Sequence, residues 1–90
     1  MPQSMKDRVR DLKPRHREVV RLISLGCSME EMAKILGLAP STIDNHKSAA
    51  KQILGVGKAT TLTRIAIKHR ISTLNDQLTR SEKRKLARKA

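Results

Sequence analysis

Between positions 41 and 52 the chain carries Ser41, Asp44, Asn45, Ser48 and Gln52 at helical spacing, with Thr42, Lys47 and Lys51 among them. Residues three and four apart share one face of a helix, so these short polar groups would project together. Asn and Gln pair bidentately with adenine, a carboxylate accepts from the cytosine amino group, and serine serves base or phosphate. Lys47 and Lys51 have the length and charge to hold phosphates and set register. The plain alternative is a solvated surface helix, polar outside as any such helix is. No nucleophile–base pair, phosphate-cradling glycine loop or metal-ligand spacing is present, so no enzyme, cofactor or metal is expected. Nor is a small-molecule ligand evident.

Charge supports the polyanion reading. Twenty Lys+Arg face eight Asp+Glu, a formal net charge of +12, enough to hold the chain on a phosphate backbone before any base is inspected. There is no Phe, Tyr or Trp, which removes the aromatic platforms that single-strand and RNA modules stack bases on. Duplex DNA is the natural partner. The single Cys27 cannot form an internal disulfide, and no membrane-length apolar run or signal pattern is evident. A reduced, cytoplasmic or nucleoid-associated protein away from the membrane is expected.

Helical periodicity recurs along the chain and strict alternation is absent, which predicts an all-α fold. A first main helix runs from about Pro14 to Leu25, with Val19, Leu22 and Ile23 on one face and Gly26 as its stop. Ser28 and Glu31 make a capping box that opens a second helix. Its stripe is Met29, Met32, Ala33 and Leu36, and Gly37 ends it. Pro40 starts a third helix, closed by Gly55, with Ile43, His46, Ala50 and Leu54 inward. A fourth, roughly Lys58 to His69, turns Leu62, Ile65, Ala66 and His69 inward. Thr60, Arg64, Ile67 and Ile71 lie opposite, an apolar-containing face that a dimer would bury. Thr79 and Glu82 repeat the capping-box pattern ahead of a strongly basic segment, read as a marginal helix or disorder. The run before Leu12 has the makings of one extra turn. His46 is expected to be a packed structural histidine, Cys27 a small apolar filler, and Met29 and Met32 core.

The segments LKPRHREVVRLISLG, CSMEEMAKILGLAPSTIDNHKS, LGV and ATTLTRIAIKH together resemble the LuxR/GerE-type helix-turn-helix domain of bacterial transcription regulators. The likeness spans Leu12 to Ile71, with Arg17-Glu18-Val19, Gly26, Leu36-Gly37, Thr42-Ile43, His46 and Leu54-Gly55-Val56 at the family's spacing. It implies a four-helix DNA-binding domain, residues 12–71, between an N-terminal extension (1–11) and a basic C-terminal extension (72–90). The third of the four helices would enter the major groove. Asp44, Asn45 and Ser48 are implied for base reading, and Thr42 and Lys58 for the DNA backbone. The fourth helix is implied in a homodimer on DNA, presenting two reading helices to a roughly palindromic site. Only about a dozen residues precede Leu12, so signal sensing within this chain is not expected. That fits a stand-alone member or a piece of a longer regulator.

Some positions depart from the family pattern. Lys13 and His16 replace the residues that cap the first helix in relatives, leaving Asp11 as a candidate substitute. Ala39 replaces a capping Ser, and each loss is worth about 1 kcal/mol. Glu30 and Asp44 place negative charge where relatives often carry Lys, which weakens backbone attraction and leaves Asp44 free to read cytosine. The resulting expectation is a sequence-specific duplex-DNA-binding transcription regulator. Three rivals stand beside it: a sigma-factor helix-turn-helix, whose match fails after Pro40; an adaptor binding an acidic partner, such as RNA polymerase or another regulator; and a non-specific nucleoid-associated protein.

Overall fold

The computed structural model describes residues 4–73 and 75–87. Its helices are α1 (Met5–Arg10), α2 (Pro14–Ser24), α3 (Met29–Leu36), α4 (Pro40–Leu54), α5 (Ala59–Lys68) and α6 (Arg80–Ala87). Among the described residues there is no strand, and no helix is long and apolar enough to cross a membrane. Residues 1–3 of the expected N-terminal extension, and Leu74 and residues 88–90 of the expected tail, lie outside the described residues.

The helix boundaries follow from local chemistry. At α3 the Ser28 hydroxyl accepts from the Glu31 N–H at 3.1 Å, and the Glu31 carboxylate accepts from the Ser28 N–H at 2.8 Å. Gly37 ends α3 at φ 66°, and the Leu38 N–H donates back to the Ala33 carbonyl at 3.1 Å. That left-handed closure suits glycine and turns the chain sharply into α4. Gly55 closes α4 in the same way at φ 71°, and the Arg8 guanidinium lies where a Cβ at this position would go. α2 opens with the Lys13 N–H donating to Nδ1 of His16 at 3.4 Å, so His16 reaches back to the position before the helix; Asp11 stands at the C-cap of α1.

α2 lies between two apolar clusters, which is why a one-sided reading of it fell short. Val20 joins Val9, Leu12, Ala50, Leu54, Leu62, Ile65 and Ala66. Val19 and Leu22 join Met32, Ile35 and Ile43. Val20 and Ile35 are both buried although neither belongs to the expected stripes, because α2 and α3 meet neighbours on more than one side. α4 also serves both clusters, through Ala50 and Leu54 in one and Ile43 in the other. Six fully buried side chains, Leu22, Ile43, Leu54, Leu62, Val19 and Val20, are all aliphatic.

Both flanks join this core. The segment before Leu12 forms α1, capped by the Ser4 hydroxyl, which accepts from the Asp7 N–H at 3.3 Å. Val9 is buried, and Arg17 donates to the carbonyls of Val9 at 3.0 Å and Leu12 at 3.5 Å. Beyond α5 the chain returns to α3, where Leu78 and Leu86 pack against the second cluster. The expected capping box is present there: Thr79 N–H donates to Glu82 at 2.8 Å and Glu82 N–H to the Thr79 hydroxyl at 3.1 Å. Of the two readings of the tail, a short helix holds for Arg80–Ala87.

Candidate nucleic-acid interface

α3, the turn at residues 37–39 and α4 form the helix-turn-helix unit. Its second helix is held from behind by Ile43, Ala50 and Leu54, all fully buried at 0% exposure. With that face fixed, Ser41, Asp44, Asn45, Ser48 and Gln52 are exposed along the opposite side, while Thr42, Lys47 and Lys51 flank it half-buried. Among the described residues, no hydrogen bond or ion pair occupies the side chains of Asp44, Asn45, Ser48, Gln52, Lys47 or Lys51. Their donors and acceptors are therefore available to an external ligand.

Pro40 fits the first turn of α4, where its missing N–H costs nothing. Ala39 before it offers no side-chain cap, and the first turn holds no acidic residue. The amino end of α4 thus keeps its partial positive character, which favours an approaching anion. Lys58 is exposed at the N-cap of α5.

His46 turns inward and is half-buried, its ring 5.5 Å from that of His16 and tilted by 57°. Burial, aided by the neighbouring His46 and Lys13, pushes the His16 imidazole below its ordinary pKa. The two rings join α2 and α4 behind the exposed polar side of α4. Cys27 is partly buried against the second cluster, and burial raises its thiol pKa. That disfavours the thiolate and suits a filler rather than a reactive group.

The expected dimer face needs one correction. Thr60 and Arg64 are exposed and Ile67 is half-buried on the outer side of α5. Ile71 is not outward: Arg70 adopts φ 61°, reverses the chain, and brings Ile71 back against the first cluster, its N–H on the Ala66 carbonyl at 2.8 Å. His69 is partly buried as expected, with Nε2 shielded and without a partner.

Four cationic residues at the surface also bond back into the fold, a role that composition alone conceals. Arg8 donates to the Leu54 carbonyl at 3.3 Å, Arg17 caps α1, and Lys85 donates to the Ile35 carbonyl at 3.2 Å. Arg21 grips Asp76 and Glu82 across the tail. The partners of Arg8, Arg21 and Lys85 lie 46 to 61 residues away, beyond any local signal, whereas those of Arg17 lie within eight.

Comparison with known proteins bears on this arrangement. Residues 10–66 match the bacterial regulatory proteins of the luxR family. Over 60 residues the chain is 37% identical to the transcriptional regulatory protein MctR of Rhizobium johnstonii, covering 67% of this chain and 28% of that relative. The chain thus corresponds to a minor part of the relative's length. No solved structure matches it.

Proposed function

The chain belongs to the luxR family of bacterial regulatory proteins, and on that premise we propose that it is a sequence-specific, duplex-DNA-binding transcription regulator with α4 in the major groove. The observation that carries the reading is the exposed, unpartnered polar face of α4 backed by fully buried Ile43, Ala50 and Leu54. Asp44, Asn45 and Ser48 read base edges, with Ser41 and Gln52 at the ends of the same face. Thr42, Lys47, Lys51 and Lys58 hold the backbone, which sets register without reading sequence.

Two copies bind as a homodimer on DNA, pairing through Thr60, Arg64 and Ile67 of α5. Symmetry then places the two α4 helices about one helical turn apart on a near-palindromic site. Such a protein works where bacterial DNA lies, in the cytoplasm at the nucleoid.

Selection of bound fragments from random duplex DNA, followed by footprinting, tests the reading. A regulator discriminates its selected site from random duplex by at least about 1000-fold. Equal affinity for all duplexes would leave a non-specific nucleoid protein. Absence of duplex binding, with retention of an acidic protein by the basic surfaces, would leave an adaptor, a reading that exposed Glu30 and Asp44 favour by weakening attraction to the DNA backbone.

A further inference from the structure

α6 lies beyond residues 10–66, the part matched by the family, yet it is packed against α3. Leu86 faces the second apolar cluster, and Glu82 is turned inward onto Arg21 at 2.8 Å. Those contacts fix which side of α6 faces out. Arg80, Lys83 and Arg84 are all exposed and recur at helical spacing, Arg80 and Arg84 on the side opposite Glu82 and Leu86 and Lys83 between that side and Leu86. The only acidic residue of α6 is thus consumed internally, and the outer stripe is wholly cationic.

α6 adjoins the helix-turn-helix through Lys85, which donates to the Ile35 carbonyl of α3 at 3.2 Å. Lys34 and Lys85 border a recess of about 250 Å³ with Gly37, the residue that opens the turn into α4. No acidic side chain lines that recess. Glu30 lies one turn before Lys34 on α3, and no ion pair joins the two among the described residues. Like charges three and four apart on a helix repel one another, and eight residues form too short a helix to persist unaided. Docking on α3 therefore holds together cations that would otherwise separate, and a polyanion at that surface relieves their repulsion.

We infer that docked α6 is a second DNA-backbone contact, with Arg80, Lys83 and Arg84 engaging phosphates of the duplex that flanks the segment read by α4. This rests on the DNA-binding reading above. It assigns the tail a role in affinity and footprint length, with none in base preference, because lysine and arginine on phosphates carry no sequence information.

The test compares the full chain with its R80Q/K83Q/R84Q variant on two duplexes, the selected site alone and the site extended by one helical turn on each side. Wild type gains affinity from the extension and the variant does not. The salt dependence of wild-type binding is also steeper, by a log–log slope of roughly 2 to 3 per protomer, from about 0.9 for each phosphate contact. Ranking of sequence variants of the site is the same for both proteins. A second variant, Leu86→Asp, undocks α6 while keeping its three outer cations, and loses the gain from the flanks.

Equal slopes and equal flank gains for wild type and triple variant would overturn the inference while leaving the DNA-binding reading intact. So would a Leu86→Asp protein that keeps the full gain, since the charge would then act as a free tether. A wild type that captures an acidic peptide through these cations but no duplex would overturn both.

Discussion

Arg21 holds the Asp76 carboxylate with two prongs, Nε at 3.0 Å and Nη2 at 3.2 Å, and so joins α2 to the chain 55 residues later. The same guanidinium reaches Glu82 at 2.8 Å and the Gln77 carbonyl at 3.1 Å. Hydrogen bonding to Asp76, with further help from Glu82, raises the Arg21 pKa against the cost of burial. The Arg21 bond, seconded by the Ser72 hydroxyl, holds Asp76 below the usual carboxylate range. At Glu82 burial opposes the charge, yet the bonds from Thr79 and Arg21 prevail and lower the pKa.

Arg21→Met is expected to cost about 1–3 kcal/mol, the range for hydrogen bonds to charged groups whose partners are left behind. Denaturant midpoints measure the loss, and limited trypsin digestion should then cut first within α6. Because the folded pKa values of Asp76 and Glu82 are depressed, the contribution is full above the ordinary carboxylate range and fades as pH falls below it. An Arg21→Met protein with wild-type acid stability would refute the latch.

The His16–His46 pair predicts a second pH effect of the same sign at higher pH. With its folded pKa lowered, His16 favours folding while neutral, and stability falls as pH drops through and below the ordinary imidazole range. His16→Asn should flatten the profile of denaturant midpoint between pH 7.5 and 5.5, a window chosen to span an unperturbed imidazole pKa of about 6.5. Parallel profiles for variant and wild type would place the sensitivity elsewhere.

Base reading and backbone holding separate by substitution. Asn45→Ala should weaken binding to the selected site by about 1–3 kcal/mol and relax preference at one base pair. Lys47→Gln should weaken binding to all duplexes alike and lower the salt slope by about 1. Anisotropy titrations across a panel of single-base site variants separate the two. Uniform loss for Asn45→Ala would move Asn45 from base edge to backbone.

Arg70 is the one non-glycine with positive φ among the described residues. Left-handed backbone costs an L-residue about 1–2 kcal/mol, so Arg70→Gly is expected to stabilise the chain by up to about 1 kcal/mol, less the added entropy of an unfolded glycine. Thermal melts decide it, and a lowered Tm would show that the Arg70 side chain outweighs the strain.

Local signals carried much of the fold. Ser28 with Glu31, Gly37, Pro40 and Gly55 each mark a boundary through bonds made within a few residues, and the stripe Ile43, Ala50, Leu54 fixed the outward face of α4 before any neighbour was known. What stayed hidden depends on distant partners. Val20 and Ile35 are buried because α2 and α3 have neighbours on several sides. Ile71 points inward because Arg70 takes a conformation that composition does not advertise. The tail is helical and docked because of Arg21, whose Asp76 partner lies 55 residues on, and because of Leu78 and Leu86, which pack on a cluster formed far earlier in the chain. A basic, weakly apolar segment gives no local hint of them.

The arginines and lysine that terminate helices change how the net charge of +12 should be understood. Arg8, Arg17 and Lys85 point their heads at backbone carbonyls of Leu54, Val9 and Ile35, and Arg21 is balanced by two carboxylates. These cations are structural punctuation as well as charge: each keeps its positive charge toward an approaching polyanion while its head also closes a helix end or a tail contact. Neutralising them would cost rigidity first, whereas neutralising the outward lysines would leave the architecture whole and alter only attraction at a distance.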